Sequence, residues 1–477
     1  MVMASLISGN DSVRRDVFTV WMCALLVIGA CDSGWGQDLE QPIPQSRPAG
    51  ASDRTPFDLQ PLFQRLQTIE SRLEEEGEWF QPRFFVDYDR GFVIRPFDKQ
   101  ETPFELKVKT RMQFRYVGFS RDAKTWTDNA GVTRPVEARN DFEIERARLE
   151  FLGFFFDPNL QFYISIDADT DDNHDAKFHD FWVSYVFSDA LNVFVGKAFI
   201  PGSRDWLSGS TRTHLVDRSM ATTFFRPDRT IGVWAIGEPV EGLHYRAMLG
   251  NGFNTTDLRP RDVDDQFMYS GTLWWDPLGD FGSGYADLEN HECLVIRVGN
   301  SFTHASQKPR DDGTTHAEQN FVRLSDGTRL IDASALAPGA TVNAFDIYLY
   351  AFDFAAKYRG WSVHSEHFFR WLNDFSTAGG PIPHTDLYDD GFYVDVGAML
   401  IDRKLELVGR ISAVDGFFGD SWEYATGINW YINGDHSKKL SFDITVLNGN
   451  PANNSSPNYE VGQDGILYRM QWQASTY

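Results

Sequence analysis

From Phe104 to the C-terminus the chain repeats one device. Apolar and polar residues alternate with period two. In the first run Phe104, Leu106, Val108, Met112, Phe114 and Tyr116 alternate with Glu105, Lys107, Lys109, Arg111, Gln113 and Arg115, which describes a strand with one apolar and one charged face. Similar runs follow at 141–156, 160–169, 178–187, 191–199, 229–237, 243–250, 265–275, 292–300, 346–357, 361–371, 391–400, 405–412, 422–432, 438–447 and 465–476, making 16 in all. A chain so patterned has little choice but to form one large sheet.

The connections say how that sheet ends. Short turns at Asp157-Pro158-Asn159, Ser188-Asp189-Ala190, Glu238 to Gly242, Tyr358-Arg359-Gly360 and Asp402-Arg403-Lys404 alternate with longer segments at 120–140, 170–177, 200–228, 251–264, 301–345, 372–390, 413–421 and 448–464. The link 276–291 is the exception, long where a short turn is due. Short turns on one side and long loops on the other are the signature of a transmembrane barrel of the bacterial outer membrane. The expected fold is therefore all-β, a 16-stranded antiparallel barrel over 104–477. An even strand count puts both barrel ends on the short-turn, periplasmic side.

Aromatics make up 15% of the chain, too many for a disordered protein. Phe154, Phe155, Phe162, Tyr163, Phe181, Trp182, Trp274, Trp275, Phe368, Phe369, Trp430, Tyr431 and Trp472 read as an aromatic belt near strand ends, contacting outer-membrane lipid. The last run, Ile466, Tyr468, Met470 and Trp472 alternating with Leu467, Arg469, Gln471 and Gln473, ends at Tyr477 like a closing barrel strand. The net charge of −24 excludes a nucleic-acid partner that relies on an overall basic surface.

Ahead of the barrel lies a processing segment. The apolar run Val17 to Ala30 follows Arg14 and Arg15 and is about 21 Å long as a helix, short of a hydrocarbon core of about 30 Å. It reads as a signal-peptide core. Gly34-Trp35-Gly36 suits cleavage that leaves 1–36 as signal peptide, and is favoured over a lipoprotein signal at Ile28-Gly29-Ala30-Cys31. Cys293 then stands alone in the mature chain, and its simplest reading is a small buried hydrophobe. Residues 37–56 read as a flexible linker. Leu59, Leu62, Leu66, Ile69 and Leu73 give a/d spacing for a short coiled-coil helix over 57–76, with a single amphipathic helix as the equal alternative. Residues 77–103 form a connector.

Several motifs resemble the phosphate-selective porin O and P family of bacterial outer membranes. They are Phe142-Glu143-Ile144-Glu145-Arg146-Ala147-Arg148-Leu149, Val195-Gly196-Lys197 leading to Pro201, Asp217-Arg218-Ser219, and Phe225-Arg226-Pro227-Asp228-Arg229-Thr230-Ile231-Gly232. Near the end, Thr426 to Asn433 and Arg469-Met470-Gln471 are similar to the family's closing strands. The resemblance implies a homotrimer of 16-stranded barrels, a third loop folded inward, and basic side chains along the pore. It implies a porin for passive diffusion of small, anionic solutes such as phosphate.

Chemistry narrows the candidate pore. Arg or Lys facing lipid at mid-bilayer costs about 2–4 kcal/mol, so Lys107, Lys109, Arg111 and Arg115 are expected on the lumen side, with Arg146 and Arg148 beside them. Lys197, Arg218, Arg226, Arg229, Arg297, Arg410 and Arg469 complete the pore-lining and anion-binding set. The third loop, 200–228, holds four arginines (Arg204, Arg212, Arg218 and Arg226) against Asp205, Asp217 and Asp228, and Arg229 follows it directly. Guanidinium forks at a constriction suit bidentate contact with phosphate or carboxylate. The bland alternative is a water-filled barrel that merely balances its own acids.

Asp167, Asp169, Asp171, Asp172, Asp175, His174 and His179 cluster, but without the glycine and glutamate of a helix-loop-helix calcium site, and read as a solvated loop. No catalytic residues, metal or cofactor are expected. The other readings are a secreted soluble all-β carbohydrate-binding protein or glycosidase, and a structural barrel blocked by loop 301–345.

Overall fold

A strand that is apolar on alternate residues is satisfied when one face meets lipid and the other a polar interior. Closure into a barrel then removes the unpaired edges. The computed structural model describes residues 64–65, 67–68, 84–97, 103–170, 176–255, 258–309 and 321–476. Gln64, Arg65, Gln67 and Thr68 are helical. The signal peptide, the linker and the heptad positions Leu59, Leu62, Leu66, Ile69 and Leu73 lie outside the described residues, as do Asp171, Asp172, His174 and Asp175.

The described residues form twenty strands. Two form an N-terminal hairpin, β1 (Phe84–Tyr88) and β2 (Phe92–Pro96), and two a small hairpin in the first long loop, β4 (Thr125–Thr127) and β5 (Thr133–Pro135). The other sixteen are β3 (Phe104–Arg121), β6 (Arg139–Phe155), β7 (Asp157–Ala168), β8 (Ala176–Ser188), β9 (Leu191–Phe199), β10 (Arg229–Val240), β11 (Leu243–Gly250), β12 (Met268–Trp275), β13 (Val295–Gln307), β14 (Thr341–Tyr358), β15 (Trp361–Ala378), β16 (Asp386–Ile401), β17 (Leu405–Gly416), β18 (Gly419–Tyr431), β19 (Lys438–Asn448) and β20 (Gly465–Ser475). Each pairs antiparallel with the next, and β20 closes on β3 with Trp472 opposite Phe114. The expected 16-stranded closed barrel is what the chain forms. Below the end of β20, strand β2 takes its place beside β3, with Phe92 opposite Val108.

The walls differ in height. At about 3.3 Å per residue and a tilt near 40°, the eight residues of β11 or β12 rise about 20 Å and the eighteen of β14 or β15 about 45 Å, against an apolar band of about 25 Å. The tall side therefore projects past the membrane. In β18 the alternation is strict: Tyr424, Ile428 and Trp430 are exposed while Glu423, Asn429 and Tyr431 are buried. In β3, Met112 and Phe114 face out while Arg111, Gln113 and Arg115 are buried inward.

Period two also corrects the aromatic belt. Neighbouring aromatics point to opposite faces, so Trp275, Trp430 and Trp472 are exposed outward whereas Tyr431 and Phe368 are buried inside. Tyr163 stacks on Trp182 and Trp182 packs on Phe194, which is buried. The seventh loop is a second correction. β17 and β18 stay paired up to Gly416 opposite Gly419, leaving the two-residue turn Phe417-Phe418 in place of a loop over 413–421. Glycines and aspartates there read as loop chemistry, but they flank a tight hairpin. The middle loop shrinks to 308–340 because β13 and β14 continue their alternation. Cys293 is exposed, not buried, near the end of the link 276–294.

The interior is filled from both ends. One apolar cluster joins Met220, Ala221 and Phe225 of the third long loop to Val322, Leu324 and Leu336 of the fifth and Tyr459 of the eighth, against Phe345 and Phe368 of the wall. From the short-turn end, 276–294 turns inward and buries Phe281, Tyr285 and Leu288. The wall makes room for the third loop with glycine: a Cβ at Gly391 would meet Phe225 at 2.6 Å, and one at Gly427 would meet Leu215 at 2.8 Å.

Exposed Cys293 reports which end faces the periplasm. A polyethylene-glycol maleimide too large to enter a porin should leave it unmodified on intact cells and modify it once the outer membrane is disrupted, with Cys293→Ser as control. Modification on intact cells would place the short turns outside.

Candidate functional site

The third long loop, 200–228, crosses the lumen because wall side chains satisfy its backbone. Its first helix, α1 (Arg204–Leu207), is capped by Ser203 and by Glu366 of β15, whose carboxylate accepts from the amides of Arg204 at 2.8 Å and Asp205 at 3.1 Å. Its second, α2 (Met220–Phe225), is capped by Ser219 and by Glu423 of β18, which accepts from Met220 N at 2.6 Å. Carboxylates at helix N-termini match the orphan amides and the local dipole. Between the helices, Asp443 accepts from Val216 N at 2.9 Å, Lys439 donates to Thr213 O at 3.0 Å and Arg410 to Asp217 O at 3.0 Å.

Asp217 fixes the opposite side. Its Oδ2 lies 3.0 Å from both Arg115 Nη2 and Arg146 Nη2, on β3 and β6. Burial opposes ionisation there, yet Arg146, Arg115 and Arg218 hold the carboxyl well below its usual range. Arg218 turns back into the loop, donating to the carbonyls of Asp205 at 3.1 Å and Ser208 at 2.6 Å and lying 4.5 Å over the Trp206 ring. From the short-turn end, the Tyr285 phenol is pushed up, first by burial and then by Asp205, and donates to Asp205 Oδ1 at 2.6 Å.

What remains open is a cavity of about 350 Å³ between this loop and strands β3 and β6 to β9. Seven cations border it (Arg111, Arg146, Arg148, Lys177, Arg212, Arg218 and Arg229) with five carboxylates, Glu150, Asp167, Asp169, Asp180 and Asp228. Most form pairs: Arg111 with Glu150 at 3.1 Å, Arg148 with Asp167 at 2.5 Å, and Arg229 with Asp180 at 2.8 Å. Arg212 has no carboxylate within ion-pair distance among the described residues. Ser208 borders this cavity and also a second of about 280 Å³ on the short-turn side, lined in part by Arg204, Arg246 and Arg297.

Of the residues singled out from sequence, Arg111, Arg146, Arg148, Arg218 and Arg229 meet at the first cavity. Arg115, Arg410 and Arg469 are buried braces, the last two bidentate to Asp395 and Asp443. Arg226 pairs with Asp228 at 3.2 Å and reaches Asn453 O at 3.2 Å. Arg297 is bidentate to Asp276 and borders the second cavity. Lys107 lies at the short-turn end, 3.0 Å from Asp89, with Lys109 two residues on and half-buried. Lys197 sits opposite Phe181 and Ile231 and donates to Phe178 O at 3.3 Å.

Sequence reasoning missed Arg246 and the acids Glu366, Glu423 and Asp443. The signal was available: each is a lone charge in an otherwise apolar or neutral stretch of strand, which lipid-face cost assigns to the lumen. Among the described residues one group, Asp287, Glu289 and His291, could gather around a metal ion. Its Asp287 already accepts from Gly360 N and His291 N, and Lys357 stands 3.7 Å from Glu289.

The family model for phosphate-selective porin O and P matches residues 122–288. No curated protein sequence matches the chain. Among solved structures, the chain resembles a loop-deletion mutant of the outer-membrane protein OmpT of Vibrio cholerae at 8% identity and a TM-score of 0.48, covering 78% of this chain and 99% of that one. An anion-selective porin from Comamonas acidovorans is similar at 10% identity and 0.47, with 78% and 99% covered. OmpF of Salmonella typhi, in complex with daunomycin, is similar at 11% and 0.48, with 82% and 100% covered. The matched segment holds the inward loop and its Asp217 brace, and with the closed barrel it makes this chain similar to the outer-membrane channels of the phosphate-selective porin O and P family.

Proposed function

We propose that the barrel is a passive, narrow channel for small anions such as phosphate, working as a homotrimer with the segment 57–76 on the periplasmic side. The observation that carries the anion preference is Arg212, which borders the cavity beside the third loop and has no carboxylate within ion-pair distance among the described residues. Fixed charges inside a constriction govern permeation. The net −24 is a sum over the whole chain, and salt screens the charges of its outer loops over a Debye length of about 8 Å. Lys107, Lys109, Arg111, Arg115, Arg146, Arg148, Lys197, Arg218, Arg226, Arg229, Arg297, Arg410 and Arg469 divide in this reading. Those at the first cavity shape the path, and the buried braces keep it open.

Reversal potentials in a salt gradient test this reading, and the unmodified channel should prefer chloride to potassium. A unit charge about 6 Å from the path in water contributes about 0.7 kcal/mol, favouring the anion and opposing the cation by the same amount, so Arg212→Gln should cut the anion-to-cation ratio about tenfold. Arg226→Gln, at a residue that does not border the first cavity, should change the ratio less. Cation preference in the unmodified channel would contradict the reading.

The trimer follows from the family resemblance. Deleting 57–76 should weaken the trimer on gel filtration while each barrel stays heat-modifiable, and an unchanged trimer would reduce that segment to a spacer.

A further inference from the structure

The second cavity differs from the first in chemistry. It lies at the short-turn end, between the inserted link 276–294 and strands β10 to β14, and holds about 280 Å³, just under the usual range of roughly 300–1,000 Å³ for small-molecule sites. Its walls carry Arg204, Arg246 and Arg297 together with the rings of Trp274, Phe281 and Tyr285.

Two of the three guanidinium groups are compensated. Arg297 is bidentate to Asp276 and lies 4.9 Å over Phe281, and Arg204 stands 3.7 Å from Asp353. Arg246 is different. No carboxylate lies within ion-pair distance of it among the described residues, its Nε is buried without a hydrogen-bond partner, and the Trp234 ring is 5.7 Å away. Arg246 is half-buried, and a guanidinium held partly out of water without a counter-ion is costly, a cost that an incoming anion relieves. Inorganic phosphate would satisfy the charge but leave the rings unused. A carboxylate on an aromatic body uses both: the carboxylate takes the fork of Arg246, and the ring stacks among Trp274 and Phe281.

We infer that this cavity is a binding subsite for small aromatic carboxylates, occupied as solutes leave the third loop past Ser208 toward the periplasm. The inference rests on the reading of the barrel as an anion-preferring channel and adds a class of organic solute to it.

The test is current block in planar bilayers, with benzoate, acetate or inorganic phosphate added on the short-turn side while chloride carries the current. Benzoate should half-block the unmodified channel at a concentration at least about tenfold below acetate or phosphate, as buried ring contact adds to a shared charge contact. Arg246→Gln should raise the benzoate half-block about tenfold. Trp274→Leu should bring benzoate toward acetate while leaving acetate nearly unchanged, which a general loss of structure would not do. Equal block by benzoate and acetate, phosphate blocking as well as benzoate, or an Arg246→Gln channel blocked like the unmodified one would each overturn the subsite. The reversal potential is read in the same membranes: cation preference there overturns the broader anion reading, while a ring-dependent benzoate block would leave the subsite standing.

Discussion

The interior depends on one constraint: a loop drawn across a water-accessible barrel must find partners for every buried charge and amide. Asp217 is where this is met most tightly. It joins the third loop to Arg115 and Arg146 across the lumen, while Glu366, Glu423 and Asp443 hold the loop's amides from the other side. Breaking a buried ion pair by removing one partner costs about 3–5 kcal/mol. Several such pairs make the loop part of the wall, and glycines at 391 and 427 let it come close enough to bond.

The same braces decide what is left for permeation. Charges that hold the loop are cancelled by their partners, so the wealth of arginine in the wall does not translate into an equal field along the path. Arg115, Arg410 and Arg469 are consumed in this way. One cavity beside β6–β9 and another beside β10–β14 share Ser208, and each borders one guanidinium with no carboxylate within ion-pair distance among the described residues. The apolar cluster joins the third, fifth and eighth loops to the wall inside the barrel.

The strands were legible in the sequence because period two is a local property. All sixteen segments found from alternation correspond to barrel strands, and the face of Arg111 and Arg115 followed from the cost of a charge in lipid. Connections were less legible. Phe417-Phe418 is a tight turn among residues that favour loops, and whether Cys293 is exposed depends on how 276–294 folds back. The partners of the arginines were not legible at all, since Arg115 meets Asp217 across about a hundred residues and Gln471 across the barrel seam. Counting lumen cations without their distant acids overstates the free charge.

The central claim is that Asp217 pins the third loop across the lumen, and single-channel recording of Asp217→Asn tests it most directly. Removing that charge leaves Arg115 and Arg146 facing a neutral amide, so the loop should detach for part of the time. The account predicts a larger, flickering conductance with added sub-levels, in a barrel that remains heat-modifiable. A quiet channel with the conductance of the unmodified protein would contradict it.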